Sequence, residues 1–363
     1  MIDTDNRYMR MALMLGRRGQ GLTWPNPAVG CVLVRDGRVI GRGWTAPGGR
    51  PHAEMRALKQ AGDARGATAY VSLEPCAHHG QTPPCAQALI DAGVARVVAP
   101  FDDNDPRVSG RGFALLRDAG IAVTTGVMAD AAGEDHAGFL SRNEAGRPML
   151  TLKLATSFDG RIATATGHSQ WITGPQARRA VHGLRASHDA VMVGAGTARL
   201  DDPMLNVRDL GVTHQPVRVV VSRRLDLPLM SQLARSACDV PLWICHGGDA
   251  DPALIEAWRG LGARLIVCAG HQGAHLDMGA VMQELGAAGL TRVFCEGGGA
   301  LAASLLRAGL VDRLVGFTAG LAIGGDGRAG IGALGLTRLD EAARFRLIRT
   351  TPVGDDVMHV WGR

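Results

Sequence analysis

The sequence predicts two α/β domains in series. The chain has 363 residues, which is longer than most single domains. Apolar strand-like segments alternate with helical segments on both sides of a polar stretch at 141–148. We find no internal repeat that relates the two halves, so we expect different folds for them. The predicted domains are 1–145 and 149–363, with 141–148 as the linker between the patterns.

The first half is expected to form a sheet covered by helices. An amphipathic pattern predicts a helix over 5–19. Two apolar segments flank Asp36-Gly37, a dipeptide typical of two-residue hairpin turns. They predict a β-hairpin with strands at 29–34 and 39–41. Further strands are predicted at 67–73 and 94–99, and helices at 53–62, 85–92 and 112–119.

The second half repeats the alternation with new strands, again separated by helical segments. The predicted strands lie at 149–155, 190–193, 217–221, 264–268, 291–295 and 313–318.

The composition indicates a soluble, folded α/β protein. Hydrophobic residues make up 46% of the chain and Gly is abundant at 50 residues, as expected for a folded α/β protein with many turns. The net charge is +5, but the arginines are scattered and form no dense basic block. This distribution favours anionic small-molecule substrates over nucleic acid as the partners of the excess arginine.

The expected compartment is the cytoplasm. The seven cysteines are odd in number and lie mostly in apolar segments, which argues against a disulfide framework. The first residues lack the basic and apolar regions of a signal peptide. No segment reaches the ~18 uninterrupted apolar residues that a membrane-spanning helix requires.

A zinc site is the strongest chemical signal. His52, Cys76 and Cys85 lie in the segments His-Ala-Glu, Pro-Cys and Pro-Pro-Cys. One imidazole and two thiolates make a three-ligand site that leaves a fourth position open for water. Glu54 follows His52 by two residues, so it can lie beside that position and exchange protons with the water. The order His-x-Glu, Pro-Cys, Cys is typical of zinc-dependent deaminases.

The surrounding pattern favours a zinc site over ordinary core residues. A single buried cysteine is usually inert, and His-Ala-Glu alone carries little information. Here the groups occur together and in order. His52 and Cys85 each precede or begin a predicted helix, where the helix dipole favours a thiolate.

The segments 23–30, 74–85 and 103–112 resemble the deaminase half of the bifunctional deaminase–reductases of riboflavin biosynthesis. The resemblance implies a cytidine-deaminase-like three-layer αβα domain, in which Asn26 and Asp103 hold the pyrimidine and His78 lines the pocket. Eight residues separate the two cysteines, whereas deaminases of nucleic acids and free bases typically show Cys-x-x-Cys. The chain departs from the family pattern at Thr45, where a His is frequent, and at Gln81, where a basic residue is frequent.

The second half shows features that suit an anionic cofactor. Glu296 is followed by three glycines that run from a strand into a helix, and Gly194-Ala195-Gly196 follows another strand. Such turns let the backbone approach a phosphate, although each is weak evidence and neither matches a Rossmann fingerprint. Arg185 and Arg208 either bind a substrate phosphate or form ordinary surface ion pairs.

The segments 153–163, 171–173, 189–197, 201–208 and 296–299 resemble the reductase half of the same family, which implies a dihydrofolate-reductase-like α/β domain. The resemblance thus covers nearly the whole chain; 225–290 and 320–363 are least recognisable, and Gly320 replaces a common proline. It implies Zn²⁺ and NADPH as cofactors and Lys153 and Asp201 as residues that assist the chemistry. The implied NADPH contacts are Ala155, Trp171, Thr197, Asp201, Ser222, Gly298, Gly299, Ala300, Leu301, Ala302, Ala303 and Ser304. The implied substrate contacts are Ser169, Arg185, Leu205, Arg208 and Glu296.

Two of these residues have a structural alternative. Asp201 could serve as a turn or helix N-cap before Pro203, and Trp171 could be an ordinary core residue. We favour the functional role over the structural alternative for both residues.

The resemblance implies a two-step function. A zinc-dependent deamination of 2,5-diamino-6-ribosylamino-4(3H)-pyrimidinone 5′-phosphate precedes reduction of the ribosyl group by NADPH, and family members commonly form homo-oligomers. Two other classes of protein are the alternatives: a nucleic-acid base deaminase, and a catalytically inactive binding protein with the same fold. The long cysteine spacing and scattered charge oppose the first, and the retention of His52, Glu54, Cys76 and Cys85 opposes the second.

Overall fold

A computed structural model describes residues 2–77, 84–105, 109–272 and 275–363. The chain divides into two compact units, Met1–Gly146 and Arg147–Arg363. Each unit has its own hydrophobic core and is described by itself. No helix among the described residues is long and apolar enough to cross a membrane.

The first unit contains a five-stranded sheet within the described residues, in the order β2-β1-β3-β4-β5. β1 is antiparallel to β2 and β3, and β3, β4 and β5 are parallel. Its helices are α1 (Ile2–Gly16), α2 (Ala53–Ala61), α3 (Cys85–Asp91), α4 (Arg111–Asp118) and α5 (Ala129–Ala145); its strands are β1 (Gly30–Arg35), β2 (Arg38–Trp44), β3 (Thr68–Val71), β4 (Arg96–Val98) and β5 (Ala122–Thr124).

The helices form a layer on each face of this sheet because side chains alternate along the strands. In β1, Cys31 and Leu33 pack with α2, α3 and α4, whereas Val32 and Val34 pack with α1 and α5. The β1–β2 turn has positive φ at Asp36 (50°) and Gly37 (72°), as in a tight two-residue hairpin. The predicted hairpin, sheet and helical layers are therefore confirmed.

The second unit contains a nine-stranded sheet within the described residues, in the order β11-β10-β9-β8-β14-β6-β15-β18-β17. The strands are β6 (Met149–Ser157), β7 (Arg161–Ala163), β8 (Ala190–Gly194), β9 (Val217–Val221), β10 (Leu242–His246), β11 (Arg264–Val267), β12 (His271–Gln272), β13 (His275–Leu276), β14 (Arg292–Cys295), β15 (Arg313–Ala319), β16 (Arg328–Ala329), β17 (Arg346–Val353) and β18 (Asp356–Gly362). The helices are α6 (Pro175–Ala186), α7 (Ala195–Asp201), α8 (Gln232–Arg235), α9 (Pro252–Gly260), α10 (Met278–Ala287) and α11 (Gly299–Arg307).

Parallel pairing dominates this sheet and determines where a ligand can bind. The strands from β11 to β15 in the sheet order are parallel to their neighbours, and only β15–β18 and β17–β18 pair in antiparallel fashion among the described residues of this sheet. The carboxyl ends of β6, β8, β9 and β14 consequently meet at one edge. Parallel α/β sheets typically bind their ligands at that edge.

The boundary between the two compact units falls within the stretch 141–148, at Gly146 and Arg147. The connection itself is short, because α5 continues to Ala145 and β6 begins at Met149. The sequence patterns did not predict the strands β17 and β18, which close one side of the sheet. Much of β17 is exposed, so it lacks the apolar run that marked the buried strands.

An ion pair on the first unit connects α1 to the sheet. Asp5 accepts two hydrogen bonds from the Arg96 guanidinium, at 3.0 and 2.8 Å, and one from the Tyr70 hydroxyl at 2.8 Å. Its side chain is only 8% exposed. Burial alone would raise the pKa of Asp5, but the hydrogen bonds from Arg96 and Tyr70 outweigh it, and the pKa lies below the ordinary 3.8.

We expect Asp5→Asn to lower the free energy of unfolding by about 2 kcal/mol, because the Arg96 guanidinium loses its charged partner. Chemical denaturation of the full chain measures this loss. Since the folded pKa is depressed, the wild-type advantage should be complete above pH 3.8 and disappear as the pH falls through the lower folded pKa. Asp63→Asn is the control, because its pair with Arg35 is exposed. An equal loss in both variants would contradict the assignment.

Candidate active sites

Three candidate metal ligands converge in the first unit. His52 immediately precedes α2, Cys85 begins α3, and Cys76 lies in the loop after β3. The His52 Nδ1 atom is 3.3 Å from the Cys85 Sγ and 3.6 Å from the Cys76 Sγ. All three ligand atoms lie within 4.8 Å of one another, and they are the only such group of three or more among the described residues.

This donor set fits a zinc ion. Zinc bonds of about 2.0–2.3 Å in a tetrahedron hold an imidazole nitrogen and a thiolate sulfur roughly 3.5 Å apart. The separations of 3.3 and 3.6 Å match that requirement. The Cys85 thiol hydrogen-bonds to the Cys76 sulfur and lowers the pKa of Cys76 to about 4, while the same contact raises the pKa of Cys85. In a zinc site both cysteines would bind as thiolates.

A glycine positions the helix that follows His52. A Cβ at Gly43 of β2 would overlap the carbonyl oxygen of Ala53, the first residue of α2. The absence of a side chain lets the start of α2 pack directly on the strand. This close packing places His52 at the edge of the sheet where Cys76 also lies.

Glu54 is buried beside the candidate metal ligands. It is the second residue of α2 and is 3% exposed. Burial raises its pKa, and the negative charge of Cys76 raises it further. A carboxyl group with a raised pKa can both accept and return a proton near neutral pH.

A cavity of about 320 Å³ opens beside this group. Its walls bring together residues that are distant in the chain, including the predicted pyrimidine contacts Asn26 and Asp103 together with Arg50. Gly49 packs against the Asn26 side chain so closely that a Cβ there would overlap it. His78, the third predicted contact, and Gln81 lie outside the described residues.

Thr45 lines the same cavity but is engaged with the backbone. Its hydroxyl accepts a hydrogen bond from the Val29 amide at 3.0 Å, and the residue is 2% exposed. At this position Thr45 therefore joins the end of β2 to the segment that leads into β1.

Glu74 is a residue whose role the sequence patterns did not reveal. It is 4% exposed, and its carboxylate accepts hydrogen bonds from the backbone amides of Asp103 (2.9 Å), Gly110 (2.9 Å) and Phe113 (3.1 Å). It also precedes Pro75-Cys76. Glu74 thus connects the loop that carries the candidate ligand Cys76 with the segment that carries Asp103. The sequence signal was its position in the motif, but the partners are 29–39 residues away.

The second unit has a larger cavity of about 1220 Å³ at the carboxyl ends of β8, β9 and β14. α11 begins at this cavity directly after Gly298, and the Gly298 amide donates to the Thr197 hydroxyl at 3.3 Å. The predicted cofactor or substrate residues that line it are Ser169, Thr197, Asp201, Ser222, Gly298, Gly299, Ala300, Leu301, Ala303 and Ser304.

Lys153, Arg185 and Glu296 form a charged cluster in the second unit. Arg185 donates to both carboxylate oxygens of Glu296, at 2.5 and 3.1 Å, and the Lys153 Nζ is 3.9 Å from Glu296. Burial would raise the pKa of Glu296, but the charges of Arg185 and Lys153 hold it below its ordinary value. Burial lowers the pKa of Lys153. Arg185 therefore enters the site already paired with a carboxylate.

Five further predicted residues of this unit lie outside the cavity lining: Ala155, Trp171, Leu205, Arg208 and Ala302. Ala302 is buried on the inner side of α11, and Leu205 is 3% exposed within the core. Trp171 is 65% exposed with the Arg178 guanidinium 4.6 Å from its ring centroid, which excludes the core alternative. Asp201, which lines the cavity, ends α7 and is not an N-cap. Ala155 is partly buried in β6, and Arg208 is exposed.

Comparison with known sequences assigns both units to families. The sequence profile described as RibD C-terminal domain matches residues 148–359. The profile described as cytidine and deoxycytidylate deaminase zinc-binding region matches residues 2–100. The riboflavin biosynthesis protein RibD of Escherichia coli (strain K12) is 41% identical over 372 residues, covering 99% of each chain. The RibD protein of Aquifex aeolicus (strain VF5) is 37% identical over 357 residues, covering 98% of each.

Solved structures agree along the full length. The chain superimposes on Acinetobacter baumannii RibD (form 1) with a TM-score of 0.89 at 36% identity, covering 100% of this chain and 99% of the other. A Thermotoga maritima structure, described as a diaminohydroxyphosphoribosylaminopyrimidine deaminase/5-amino-6-(5-phosphoribosylamino)uracil reductase, gives a TM-score of 0.87 at 30% identity, covering 99% of each chain. The predicted fold class, a cytidine-deaminase-like domain followed by a dihydrofolate-reductase-like domain, is confirmed.

We expect Glu74→Gln to loosen the segment that carries Asp103 without removing the metal ligands. The side-chain NH2 group of glutamine would face at least one of the backbone N–H groups that now donate to Glu74, so a hydrogen bond is lost. The free energy of unfolding should therefore fall by about 1–3 kcal/mol. Hydrogen exchange should accelerate at the amides of Asp103, Gly110 and Phe113, while zinc content stays near one per chain.

Glu144→Gln is the matched control. Its carboxylate accepts one exposed hydrogen bond from Asn104 at 2.8 Å, near the same segment. Unchanged exchange in Glu74→Gln, or equal acceleration in both variants, would contradict the role assigned to Glu74.

Proposed function

This chain belongs to the family of the riboflavin biosynthesis protein RibD, the bifunctional deaminase–reductases, and we propose that its two units catalyse successive steps on one pyrimidine ribotide. The proposed substrate of the first unit is 2,5-diamino-6-ribosylamino-4(3H)-pyrimidinone 5′-phosphate. The product, 5-amino-6-(5-phosphoribosylamino)uracil, is the proposed substrate of the second unit. The two activities in the description of the Thermotoga maritima structure support both choices.

One observation carries the proposal for the first unit. A buried glutamate, Glu54, lines the same cavity as His52 and Cys76, which with Cys85 provide the donor set of a three-ligand zinc site. A structural zinc site has four protein ligands, whereas a catalytic site keeps one position for water or substrate. We propose His52, Cys76 and Cys85 as the zinc ligands, and Asn26, His78 and Asp103 as the pyrimidine contacts.

The deamination consumes one water, whose two protons end on a ring nitrogen and on the leaving amino group. Zinc, when bound to these ligands, would supply Lewis-acid activation of the attacking water. Glu54 accepts a proton from the water as its oxygen adds to the ring carbon that bears the 2-amino group, and passes it to the ring nitrogen of the attacked C=N bond. Glu54 then accepts the remaining hydroxyl proton and passes it to the amino group, which leaves as ammonia. The ring carbon keeps the oxygen as a carbonyl, and Glu54 is again ionised.

The second step reduces the sugar. When bound, NADPH supplies a hydride to the former anomeric carbon after the ribosyl ring opens to an imine. The imine nitrogen must take up one proton as the hydride arrives. We propose that Lys153 stabilises or donates this proton, because its buried ammonium has a lowered pKa and lies 3.9 Å from Glu296. Asp201 is proposed to assist from the cavity wall.

The proposed ligand contacts fall into two groups. Contacts to NADPH from Thr197, Ser222 and the start of α11 are supported by the shared cavity, and a helix N-terminus suits a pyrophosphate. Arg185 and Glu296 are proposed to contact the ribotide as a preformed ion pair. A ribotide contact from Ser169 is supported by its place in the cavity lining. The other proposed contacts rest on the resemblance alone: Ala155, Trp171, Leu205, Arg208 and Ala302.

The proposal includes the setting of the enzyme. We propose a cytoplasmic location, since the thiol ligands of the zinc site must stay reduced. We also propose that the enzyme forms a homo-oligomer, as the resemblance implies. We propose that it binds no nucleic acid, because the basic residues are scattered. Sedimentation velocity and a titration with single-stranded RNA test these two statements.

We expect Glu54→Gln to separate the two activities. Loss of the proton carrier should reduce ammonia release at least about 10³-fold. The variant should retain zinc and should still oxidise NADPH when supplied with the deaminated intermediate. Loss of both steps in a folded, zinc-containing variant would contradict the two-site proposal.

The reciprocal variant Lys153→Met should spare ammonia release and reduce NADPH oxidation about 10²-fold or more, because the imine loses its nearby proton donor. The methionine keeps most of the side-chain volume, so the fold should persist. The two steps are measured on the same preparation as for Glu54→Gln, and each variant serves as the control for the other. Normal reduction by Lys153→Met would remove Lys153 from the mechanism.

A further inference from the structure

The strand order of the second unit determines which residues lie at each end of its cavity. β6 carries Lys153, and the next strands along the sheet are β14, β8 and β9. Neighbouring strands lie about 4.8 Å apart, so the end of β9 lies roughly 14 Å from the end of β6. The cavity extends along these strand ends, from Ile162 and Ala163 just beyond β6 to Ser222 and Arg224 just beyond β9.

A dinucleotide in this cavity has one productive orientation. Its nicotinamide must lie on the β6 side, where Lys153 and Glu296 form the charged cluster. Its pyrophosphate then reaches the N-terminus of α11, which follows β14. The adenosine end must extend past β8 to the end of β9. The residues after β9 therefore face the ribose that carries a phosphate in NADPH and a hydroxyl in NADH.

The cavity contains five arginines, and their partners distinguish them. Arg199 pairs with Asp226 at 2.7 Å and Arg223 pairs with Asp249 at 2.6 Å, so both charges are engaged. Arg328 lies on β16, which pairs with β7 just after β6, at the nicotinamide side. Arg307 is the last residue of α11, at the opposite end from the pyrophosphate position.

Arg224 remains as the cation at the adenosine side. It is exposed and forms no ion pair within the described part of the chain. It lies two residues after Ser222, which is 1% exposed. The Ser222 hydroxyl donates a hydrogen bond to Asp226 at 3.1 Å. Asp226, the acidic group at this position, is thus occupied by Arg199 and Ser222 and is not left to bind ribose hydroxyls.

We propose that Arg224 binds the 2′-phosphate of NADPH and thereby determines the preference of the reductase for NADPH over NADH. This inference rests on the proposed function of the second unit. A guanidinium forms charge-assisted hydrogen bonds with a phosphate, and it gains nothing comparable from a ribose hydroxyl. Arg224 is therefore a specificity-determining residue at the adenosine end, distant from the residues of the chemical step.

Equilibrium binding of NADP⁺ and NAD⁺ to the zinc-loaded full chain tests the proposal by calorimetry. The two probes differ only in the 2′-phosphate. Wild-type protein should bind NADP⁺ more tightly. Arg224→Gln should weaken NADP⁺ binding roughly 10- to 100-fold and leave NAD⁺ binding within about twofold, and Arg224→Lys should recover part of the preference. Arg235→Gln, an exposed arginine on α8 outside the cavity, is the control and should change neither constant.

The outcomes separate this inference from the function on which it rests. Binding of both dinucleotides with equal affinity, or a preference for NAD⁺, would overturn the role of Arg224 while keeping a nicotinamide-dependent reductase. An unchanged preference in Arg224→Gln would also overturn it and would assign the 2′-phosphate to another arginine. Binding of neither dinucleotide by folded protein would overturn the proposed reductase and this inference together.

Discussion

The candidate zinc site of the first unit brings one carboxyl group and two thiols, all able to become negatively charged, into close contact. The repulsion between their charges is the constraint on which the rest of the site depends. Glu54 is 3% exposed, and the thiols of Cys76 and Cys85 share its environment. Without a cation the thiols cannot both ionise: contact between them lowers the pKa of one and raises that of the other. A divalent ion removes this conflict, because it stabilises two thiolates and the neighbouring carboxylate at once. The close packing of α2 on Gly43 and the hydrogen bonds of Glu74 are the means by which the chain holds these groups together.

In the second unit, the parallel alignment of the strands brings the groups of the site together. Seven strands aligned in parallel bring their carboxyl ends to one edge, so backbone amides and charged side chains meet there without a metal-ligand cluster among the described groups. Lys153, Arg185 and Glu296 are all at least four-fifths buried, and each is tolerated because it has an opposite charge nearby. A substrate that approaches this cluster meets charges already oriented by one another. In both units the side chains of the site are therefore oriented before a ligand binds. In the first unit they surround the candidate zinc position, and in the second they form the cluster of Lys153, Arg185 and Glu296.

The sequence predicted the parts of the molecule that depend on local patterns. The hairpin at Asp36-Gly37 and the buried strand at 217–221 were predictable because turn chemistry and apolar runs are local signals. The group of His52, Cys76 and Cys85 was predictable because these residue types, at these spacings and in this order, seldom occur together except at a metal site.

The features that the sequence did not predict depend on contacts between distant segments. They are the hydrogen bonds of Glu74, the pairing of Arg185 with Glu296 over 111 residues, and the antiparallel strands β17 and β18. Periodicity carries no information on such contacts. The unit boundary at Gly146 and Arg147 lies within 141–148, but the first residues of that stretch belong to α5, because polar side chains suit the exposed end of a helix as readily as a loop.

The most direct test of a deamination that precedes reduction follows ammonia release and NADPH absorbance together in one reaction. The wild-type chain is given the diamino ribotide, with zinc bound and after its removal. With zinc, we predict that ammonia appears first and that NADPH is consumed after a lag. Without zinc, both signals should vanish, and addition of the deaminated intermediate should restore NADPH consumption alone. Oxidation of NADPH on the diamino ribotide without ammonia, or ammonia release by zinc-free protein, would contradict the assignment of a zinc-dependent deamination that precedes reduction.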